Sequence, residues 1–338
     1  MTDHLRPDTY QKIQELQQRA IKVMIITGDN FVAAQGIAQK LKLKGKTIEV
    51  SELSTIQNIK DVSVICEVLP EDKLTILKFL KDKGYTVGMV GDGMNDAPVL
   101  KAADVGIATS NAVDLAKQSA GIIMQKEGIS SISDILDSGH RVYQRMMTWT
   151  ITKLSRTTQL AILLTLGYWI ANFVPLNLNE IVLIVILNDL VTMVLGTDNT
   201  NISYKPGKWD MYSLVKISLI FIIGWVLSGM VLFVWLLNSK VIFSKIDTIM
   251  FLFLMVSAML TILMTRTRIF FIQSKPSKMV SSVILVNCIV VIILCSIGKI
   301  VYPISWELIL LVLVAIISIA IVIDVVKVFL YQKVINVS

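Results

Sequence analysis

The sequence predicts two modules of different fold class: an α/β module with a partial, doubly wound parallel sheet, and an all-α membrane bundle. Of the 338 residues, 54% are hydrophobic, whereas soluble domains hold about 45–50%. Most charged residues precede residue 145, and long apolar blocks follow. We therefore expect a soluble domain over residues 1–145 and a membrane domain over residues 146–338.

The net charge of +7 suggests nucleic acid as one class of partner to consider. The basic residues, however, lie in the soluble half and at the ends of apolar blocks, where membrane proteins carry charge. The cysteines Cys66, Cys288 and Cys295 have neither disulfide-framework nor metal-site spacing. We expect a lipid bilayer as partner, no nucleic acid, and buried free thiols.

Short apolar runs alternate with helix-like segments in the soluble half. The runs cover 21–26, 62–68, 86–90, 105–108 and 121–124, and the helix-like segments cover 31–43, 71–83, 95–103 and 113–119. This alternation predicts a parallel, doubly wound sheet. Ligands bind such sheets at the carboxyl ends of their strands, so we expect the residues that follow each run to form the functional site.

The most informative stretch, residues 85–100, reads YTVGMVGDGMNDAPVL. Its apolar run ends in Gly91-Asp92-Gly93, and Asp96 follows four residues after Asp92. Two carboxylates at the carboxyl edge of a sheet suit a divalent cation that takes oxygen ligands and bridges to phosphate. This stretch therefore predicts a Mg²⁺–phosphate site.

Two further signals follow earlier runs. Thr27-Gly28-Asp29-Asn30 offers a hydroxyl and backbone N–H groups to phosphate oxygens, although Asp29 or Asn30 could instead cap the next helix. Lys73 lies in the first turn of a predicted helix, where a cation opposes the helix dipole. A bound phosphate would explain that placement; a solvated surface lysine is the alternative.

The strings ITGDN, PEDK and GDGMNDAPVLKAADVGIA together resemble the phosphorylation domain of P-type cation-transport ATPases, a branch of the haloacid-dehalogenase superfamily. The resemblance implies that Asp92 coordinates Mg²⁺ beside the phosphoryl group, with Asp96 in support. It also implies that Lys73 neutralises the phosphate and that Thr27 binds one of its oxygens. The catalytic set that it implies is Thr27, Gly28, Asp29, Lys73, Asn95 and Asp96. One departure is Val90, where many members have threonine.

The family's DKTGT turn, which carries the phosphorylated aspartate, does not occur in the sequence, nor does a TGE-bearing actuator segment or a nucleotide-binding domain. We therefore expect the C-terminal portion of a pump that uses ATP and Mg²⁺ when complete, and that neither hydrolyses ATP nor forms a phosphoenzyme alone. The expected partner is an N-terminal pump fragment with the missing domains. A split-pump subunit, a non-catalytic remnant and a membrane-anchored phosphatase remain as alternatives.

The missing turn also has a folding consequence. In the family it ends the central strand of the sheet, so the remaining strands would expose unpaired edges. We expect a marginally stable soluble half that proteases cut in the loops around Gly45 and Gly128.

Six membrane spans of roughly 20 residues each are predicted. They cover about 147–171, 178–197, 212–237, 247–265, 279–298 and 304–330. The distribution of Lys and Arg among the loops predicts that both termini are cytoplasmic. We expect a multi-pass protein of a plasma or inner membrane.

Asn188 and Asp189 lie near the centre of the second span. A mid-membrane carboxylate indicates a functional site by default, the alternative being a neutral or paired helix contact. The string ILND resembles the plasma-membrane proton-pump branch, which implies that Asp189 is the proton acceptor. That branch has an arginine on the preceding span; here Gln159 takes its position and Arg156 lies about one turn nearer the cytoplasm. Mg²⁺ or another cation therefore stays open as the transported ion.

Asp324 lies three residues before Lys327 near the end of the sixth predicted span. Side chains three residues apart on a helix are neighbours, so we expect an ion pair there and not a second transport site.

Overall fold

The computed structural model describes residues 9–56, 58–126, 128, 130–200 and 211–334. The chain divides into two compact units, and the boundary between them lies between Gly139 and His140.

The first unit alternates strands and helices. Its strands are β1 (Ile25–Ile26), β2 (Lys46–Glu49), β3 (Val62–Cys66), β4 (Gly88–Gly91), β5 (Val105–Ala108) and β6 (Ile122–Ile123). Its helices are α1 (Thr9–Gln18), α2 (Phe31–Lys40), α3 (Asp72–Asp82), α4 (Ala97–Ala102) and α5 (Asp114–Ser119), with 3₁₀ turns at Val50–Thr55, Ile59–Asp61 and Met94–Asp96. This order confirms the predicted α/β class.

The strands form two three-stranded sheets with the orders β1-β3-β2 and β4-β5-β6. Every strand pair is parallel, as the alternation predicts. Among the described residues, β1 pairs only with β3 and β4 pairs only with β5. Each sheet therefore ends in an unpaired edge on the strand that leads into a predicted site turn.

The core of the first sheet is built around β3, whose five residues are all buried. Ile65 packs in a cluster with Ile48 and Ile76, whereas Val64, next along the strand, packs with Ala34. Because successive side chains of a strand point to opposite faces, the first sheet is covered on both faces.

Among its described residues, the second unit holds six long helices, the first of which begins in the first unit. They are α6 (Ser130–Ala171), α7 (Leu178–Val194), α8 (Met211–Asn238), α9 (Phe243–Thr265), α10 (Lys278–Ile297) and α11 (Trp306–Val334). Helix α9 packs against α7, α8, α10 and α11. In its most apolar stretch of 18 residues, 83% is buried inside the bundle. The bundle is therefore assembled around α9.

Five of these helices are long and apolar enough to cross a membrane, and they correspond to the second to sixth predicted spans. They cover Leu178–Thr197, Met211–Asn238, Phe243–Thr265, Lys278–Ile297 and Trp306–Tyr331. The protein is therefore a multi-pass membrane protein.

The first predicted span, 147–171, lies within α6, but α6 is not among these five helices. Its polar side chains lower the hydropathy and find partners inside the bundle. Thr152 Oγ1 lies 2.9 Å from Thr265 Oγ1, and Gln159 Nε2 donates to Ser257 Oγ at 3.1 Å. Hydropathy alone therefore does not identify α6 as a span.

Asp324 and Lys327 form the predicted ion pair, with 2.6 Å between Oδ1 and Nζ and almost no exposure of either side chain. Lys327 Nζ also donates to the carbonyls of Met264 and Ile269. The backbone N–H of Phe271 donates to Asp324 Oδ2 at 2.9 Å. The pair thus anchors the segment that follows α9 onto α11.

One glycine allows the close packing of β5 against α4. A Cβ atom at Gly106 would lie 2.1 Å from the Leu100 carbonyl oxygen. We predict that Gly106→Ala lowers the free energy of unfolding of the first unit by about 1–3 kcal/mol through overpacking. This change in the free energy of unfolding can be measured by titrating the full chain in detergent with urea and monitoring unfolding through its susceptibility to a protease.

Gly36 is the matched control, because a Cβ there has no neighbour within 4 Å in α2. Gly36→Ala should raise the stability by about 0.5–1 kcal/mol, since alanine is the better helix residue. Equal stability of the two variants would contradict the predicted overpacking.

Candidate functional site

The turn after β1 is held by its own side chains. Thr27 Oγ1 donates to Asp29 Oδ2 at 2.9 Å and accepts from the backbone N–H of Asp29 at 3.1 Å. Asn30 Oδ1 accepts from the backbone N–H of Ala33 at 3.0 Å. Asn30 therefore caps α2, whereas Thr27, Gly28 and Asp29 precede the helix at the carboxyl end of β1.

Lys73 and Asp96 join the two sheets. Lys73 lies in the first turn of α3, which follows β3, and Asp96 lies in the turn after β4. Lys73 Nζ donates to Asp96 Oδ1 at 2.6 Å. The lysine that the sequence places against the helix dipole thus has a carboxylate partner, and it is no freely solvated surface lysine.

Asp96 organises the turn that contains Asp92. Its Oδ2 accepts the backbone N–H groups of Asp92 and Gly93, at 3.2 and 3.1 Å. A Cβ on Gly91 would lie 2.6 Å from Asp96 Cβ, so a glycine is required where the carboxylate folds back over the strand end.

Burial raises the pKa of Asp96, but the hydrogen bonds from Lys73 and from the Gly93 and Asp92 N–H groups, with the charge of Lys73, outweigh it. The pKa of the carboxyl group therefore lies below its usual range. Because the folded-state pKa is lowered, the stability that this group contributes is present above the unfolded pKa. That stability is lost as the pH falls through the folded-state pKa.

Asp92 and Asn95 are exposed at the same turn. The backbone carbonyl of Asp92 accepts from Val113 N–H at 2.9 Å, whereas its carboxylate has no hydrogen bond or ion pair to another described residue. Asp92 is thus the carboxylate available to a metal ion, because Asp96 is occupied by Lys73 and two N–H groups.

The described residues bring no three His, Cys, Asp or Glu side chains together as a metal cluster. The donor set nevertheless fits a cation that shares its ligands with a phosphate: one available carboxylate, at Asp92, beside a lysine. Such a cation would take its other oxygen ligands from the phosphoryl group, from water or from residues outside this chain.

The four residues predicted for ion transport line one cavity in the second unit. Arg156 and Gln159 contribute from α6, and Asn188 and Asp189 from α7. The cavity has a volume of about 90 Å³, and α9 closes part of it with Leu254 and Ala258.

Hydrogen bonding in this cavity is incomplete. Arg156 Nε and Nη1 and Asn188 Oδ1 are buried and have no partner among the described residues. Gln159 is satisfied by Ser257 of α9. A polar cavity with free donors and an acceptor suits a hydrated, charged or proton-carrying group.

Lys153 is the residue that the sequence reading missed. Its Nζ forms an ion pair with Asp189 Oδ1, and it also lines the cavity. The sequence feature that could have identified Lys153 is its position one helical turn before Arg156, because residues three apart lie on the same side of a helix.

Known proteins are similar to this chain in both of its units. Models described as haloacid dehalogenase-like hydrolase match residues 1–104 and 74–136. A protein described as a cation-transporting ATPase of Methanocaldococcus jannaschii is 29% identical over 90% of this chain and 40% of its own length. The plasma membrane ATPase of Kluyveromyces lactis is 31% identical over 88% of this chain and 34% of its own length.

Plasma membrane ATPase 1 of Saccharomyces cerevisiae is 33% identical over 64% of this chain and 25% of its own length. The chain thus spans 40% or less of the length of these curated relatives. Both the soluble strings and the helical region contribute to the match, since most of the chain is aligned. The chain belongs to the P-type ATPase family, and plasma membrane ATPases are among the relatives that it matches.

Proposed function

We propose that this chain supplies the phosphate-holding half of the phosphorylation site and the cation-carrying helices of an ATP-driven P-type pump. The observation that carries the proposal is the Lys73–Asp96 pair beside Asp92, at the point where both sheets have an unpaired edge. The transported ion is a cation, with the proton first and Mg²⁺ or another metal cation as the alternative.

The phosphate site works by charge and position. Phosphoryl transfer depends on in-line geometry and on stabilised oxygens more than on covalent chemistry by the protein. Lys73 would neutralise the phosphoryl group, and the Thr27 hydroxyl would donate to one of its oxygens. Each side chain now has a partner within the chain, Asp96 for Lys73 and Asp29 for Thr27. A bound phosphate would therefore compete with these contacts.

Asp92 would hold Mg²⁺, which neutralises phosphate charge when bound. Asp96 would act through the backbone, because its contacts with the N–H groups of Asp92 and Gly93 fix the turn. Asn95 is exposed beside them and would orient the phosphoryl group or its water.

The unpaired edges of β1 and β4 support a role in a larger assembly. Exposed strand edges readily pair with further strands. We propose that a parallel strand from outside residues 1–338 enters between β1 and β4 and carries the aspartate that becomes phosphorylated. That segment would belong to an N-terminal portion with the nucleotide-binding and actuator domains.

The charged pair in the bundle supports the same conclusion. The side chains of Lys153 and Asp189 are 36% and 49% exposed, although Asp189 lies inside an apolar helix. Charged groups in contact with lipid are costly. We propose that further membrane helices from outside residues 1–338 cover this face, with both termini of this chain cytoplasmic in a plasma or inner membrane.

Helix α6 connects the two functions in the sequence. It runs unbroken from Ser130 to Ala171 and carries Lys153, Arg156 and Gln159 at the cavity. A continuous helix is a physical element through which phosphorylation could change the contacts of Asp189.

The first prediction concerns completeness. Residues 1–338 alone should form no phosphoenzyme with labelled ATP, whereas co-expression with a segment that carries DKTGT and the missing domains should give an acid-stable, hydroxylamine-sensitive label. Label on the chain alone would contradict the proposal, and so would absence of label from a purified, stoichiometric complex.

The second prediction concerns Lys73. In the completed pump, Lys73→Met should slow phosphorylation by about a hundredfold or more, because a charge that stabilises the transition state is lost. Lys78→Met is the control, since Lys78 is exposed elsewhere on α3. Equal phosphorylation rates in the two variants would exclude the proposed role.

The third prediction concerns Asp189. In reconstituted vesicles with the completed pump, Asp189→Asn should abolish cation transport, measured as a proton gradient, and leave Mg²⁺ binding intact. Glu307→Gln, at the exposed start of α11, should transport normally. Retained transport in Asp189→Asn would exclude Asp189 as the carrier.

A further inference from the structure

We propose that Glu180 and Asp247 form a second carboxylate site in the bundle, which holds one proton and relays protons from Asp189 to the outside. The inference rests on the proposed function, in which Asp189 carries the transported proton. It is carried by a buried, unpartnered oxygen atom on each of the two carboxylates, inside helices that are long and apolar enough to cross a membrane.

Glu180 lies in the first turn of α7 and is fully buried. Its backbone N–H donates to Asn177 Oδ1, and its Oε2 accepts the backbone N–H of Asn177, both at 3.0 Å. Its Oε1 takes no part in this capping box and has no partner among the described residues. Because glutamine serves as well as glutamate in a capping box, helix capping alone does not explain an ionisable group at this buried position.

Asp247 lies near the start of α9, close enough for its charge to act on Glu180. Its Oδ1 is buried and unpartnered, although the residue as a whole is only partly buried. Neither carboxylate forms an ion pair with a lysine or arginine that the structure describes. The other titratable group that interacts with Glu180 is the buried Cys295 thiol of α10.

The charge of this pair favours a bound proton. Two neighbouring carboxylates away from water are costly when both are charged, because burial and like-charge repulsion act in the same direction. A metal ion would need several further ligands, and no three His, Cys, Asp or Glu side chains come together as a metal cluster in the part of the chain that the structure describes. A proton needs one oxygen to bind and one to accept its hydrogen bond.

The position of the pair suits proton release. Asp189 follows nine residues after Glu180 on α7, which corresponds to about 13 Å along the helix at 1.5 Å per residue. With both termini cytoplasmic, as proposed, Glu180 and Asp247 lie on the outer side of Asp189. Asp247 is the more exposed member of the pair and is therefore the group from which a proton would leave.

Two buried amide oxygens mark the start of this interval. Asn188 and Asn287 are 4% and 5% exposed, and Oδ1 of each has no partner among the described residues. Asn287 Nδ2 donates to the Leu187 carbonyl at 2.8 Å, which holds this side chain of α10 against α7. A buried acceptor without a partner indicates a missing donor, and water can fill that role.

The relay conserves protons and charge. The O–H bond of protonated Asp189 breaks, its electron pair stays on the carboxylate, and the proton passes through water to the free oxygen of Glu180. The pair then gives one proton from Asp247 to a water molecule outside. The pair therefore holds one proton before and after each transfer.

Infrared spectroscopy of the full chain in lipid nanodiscs tests the site without pump turnover. At neutral pH the wild type should show a carboxylic acid C=O stretching band that Glu180→Gln removes, since glutamine keeps the capping box but binds no proton. Asp247→Asn should change the frequency of this band, because the hydrogen-bond partner of the proton changes. Glu307→Gln removes an exposed carboxylate at the start of α11 and should leave the band unchanged.

Identical spectra of the wild type and Glu180→Gln would overturn the inference, and so would a band that Asp247→Asn leaves unchanged. Loss of the wild-type band on addition of Ca²⁺ would identify a metal site and would overturn it too. Circular dichroism of each variant reports whether the bundle is folded.

Proton transport by the completed pump tests the relay itself. Glu180→Gln should slow transport at least about tenfold, because a proton-transfer group is lost, and the phosphoenzyme should form at the wild-type rate. Wild-type transport by a phosphorylated Glu180→Gln pump would refute the relay and leave the proposed function standing. A completed pump that forms no phosphoenzyme would instead refute the proposed function, and the infrared band of the full chain would still decide whether the pair holds a proton.

Discussion

The hydrogen-bonded ion pair between Lys73 and Asp96 is the interaction on which the first unit depends. It connects α3, which follows the first sheet, to the turn that follows the second sheet. Asp96 also accepts two backbone N–H groups and so fixes where Asp92 lies. Removal of Lys73 would leave the buried Asp96 carboxylate with only its two backbone N–H donors, and breaking a largely buried pair in this way costs more than the pair itself stabilises.

Each of the two candidate sites contains an ion pair between a lysine and an aspartate. In each, a lysine on a helix neutralises a carboxylate at a surface that is not closed: Lys73 with Asp96 at the open sheet edges, and Lys153 with Asp189 on an exposed face of the bundle. Lysine is suited to such a role because its ammonium is a mobile point charge on a flexible stem.

Sequence patterns predicted most of the α/β unit, because buried parallel strands are apolar and the site turns are rich in Gly and Asp. They missed β2, whose residues Lys46 to Glu49 are mostly polar and pair with the fully buried β3. They also predicted six apolar spans, whereas α6 owes its place to paired polar side chains such as Thr152 and Gln159. The sequence places Lys153 one helical turn before Arg156, but that position alone does not show that its partner is Asp189 on the next helix.

The most direct measurement is hydrogen–deuterium exchange of the full chain with and without a synthetic strand peptide that contains DKTGT. The proposed assembly predicts that the peptide protects amides of both β1 and β4 from exchange, because each strand gains a neighbour on its unpaired edge. The outer strand β6 should be unchanged. Protection of neither strand, or of only one, would contradict the claim that an external strand completes this site.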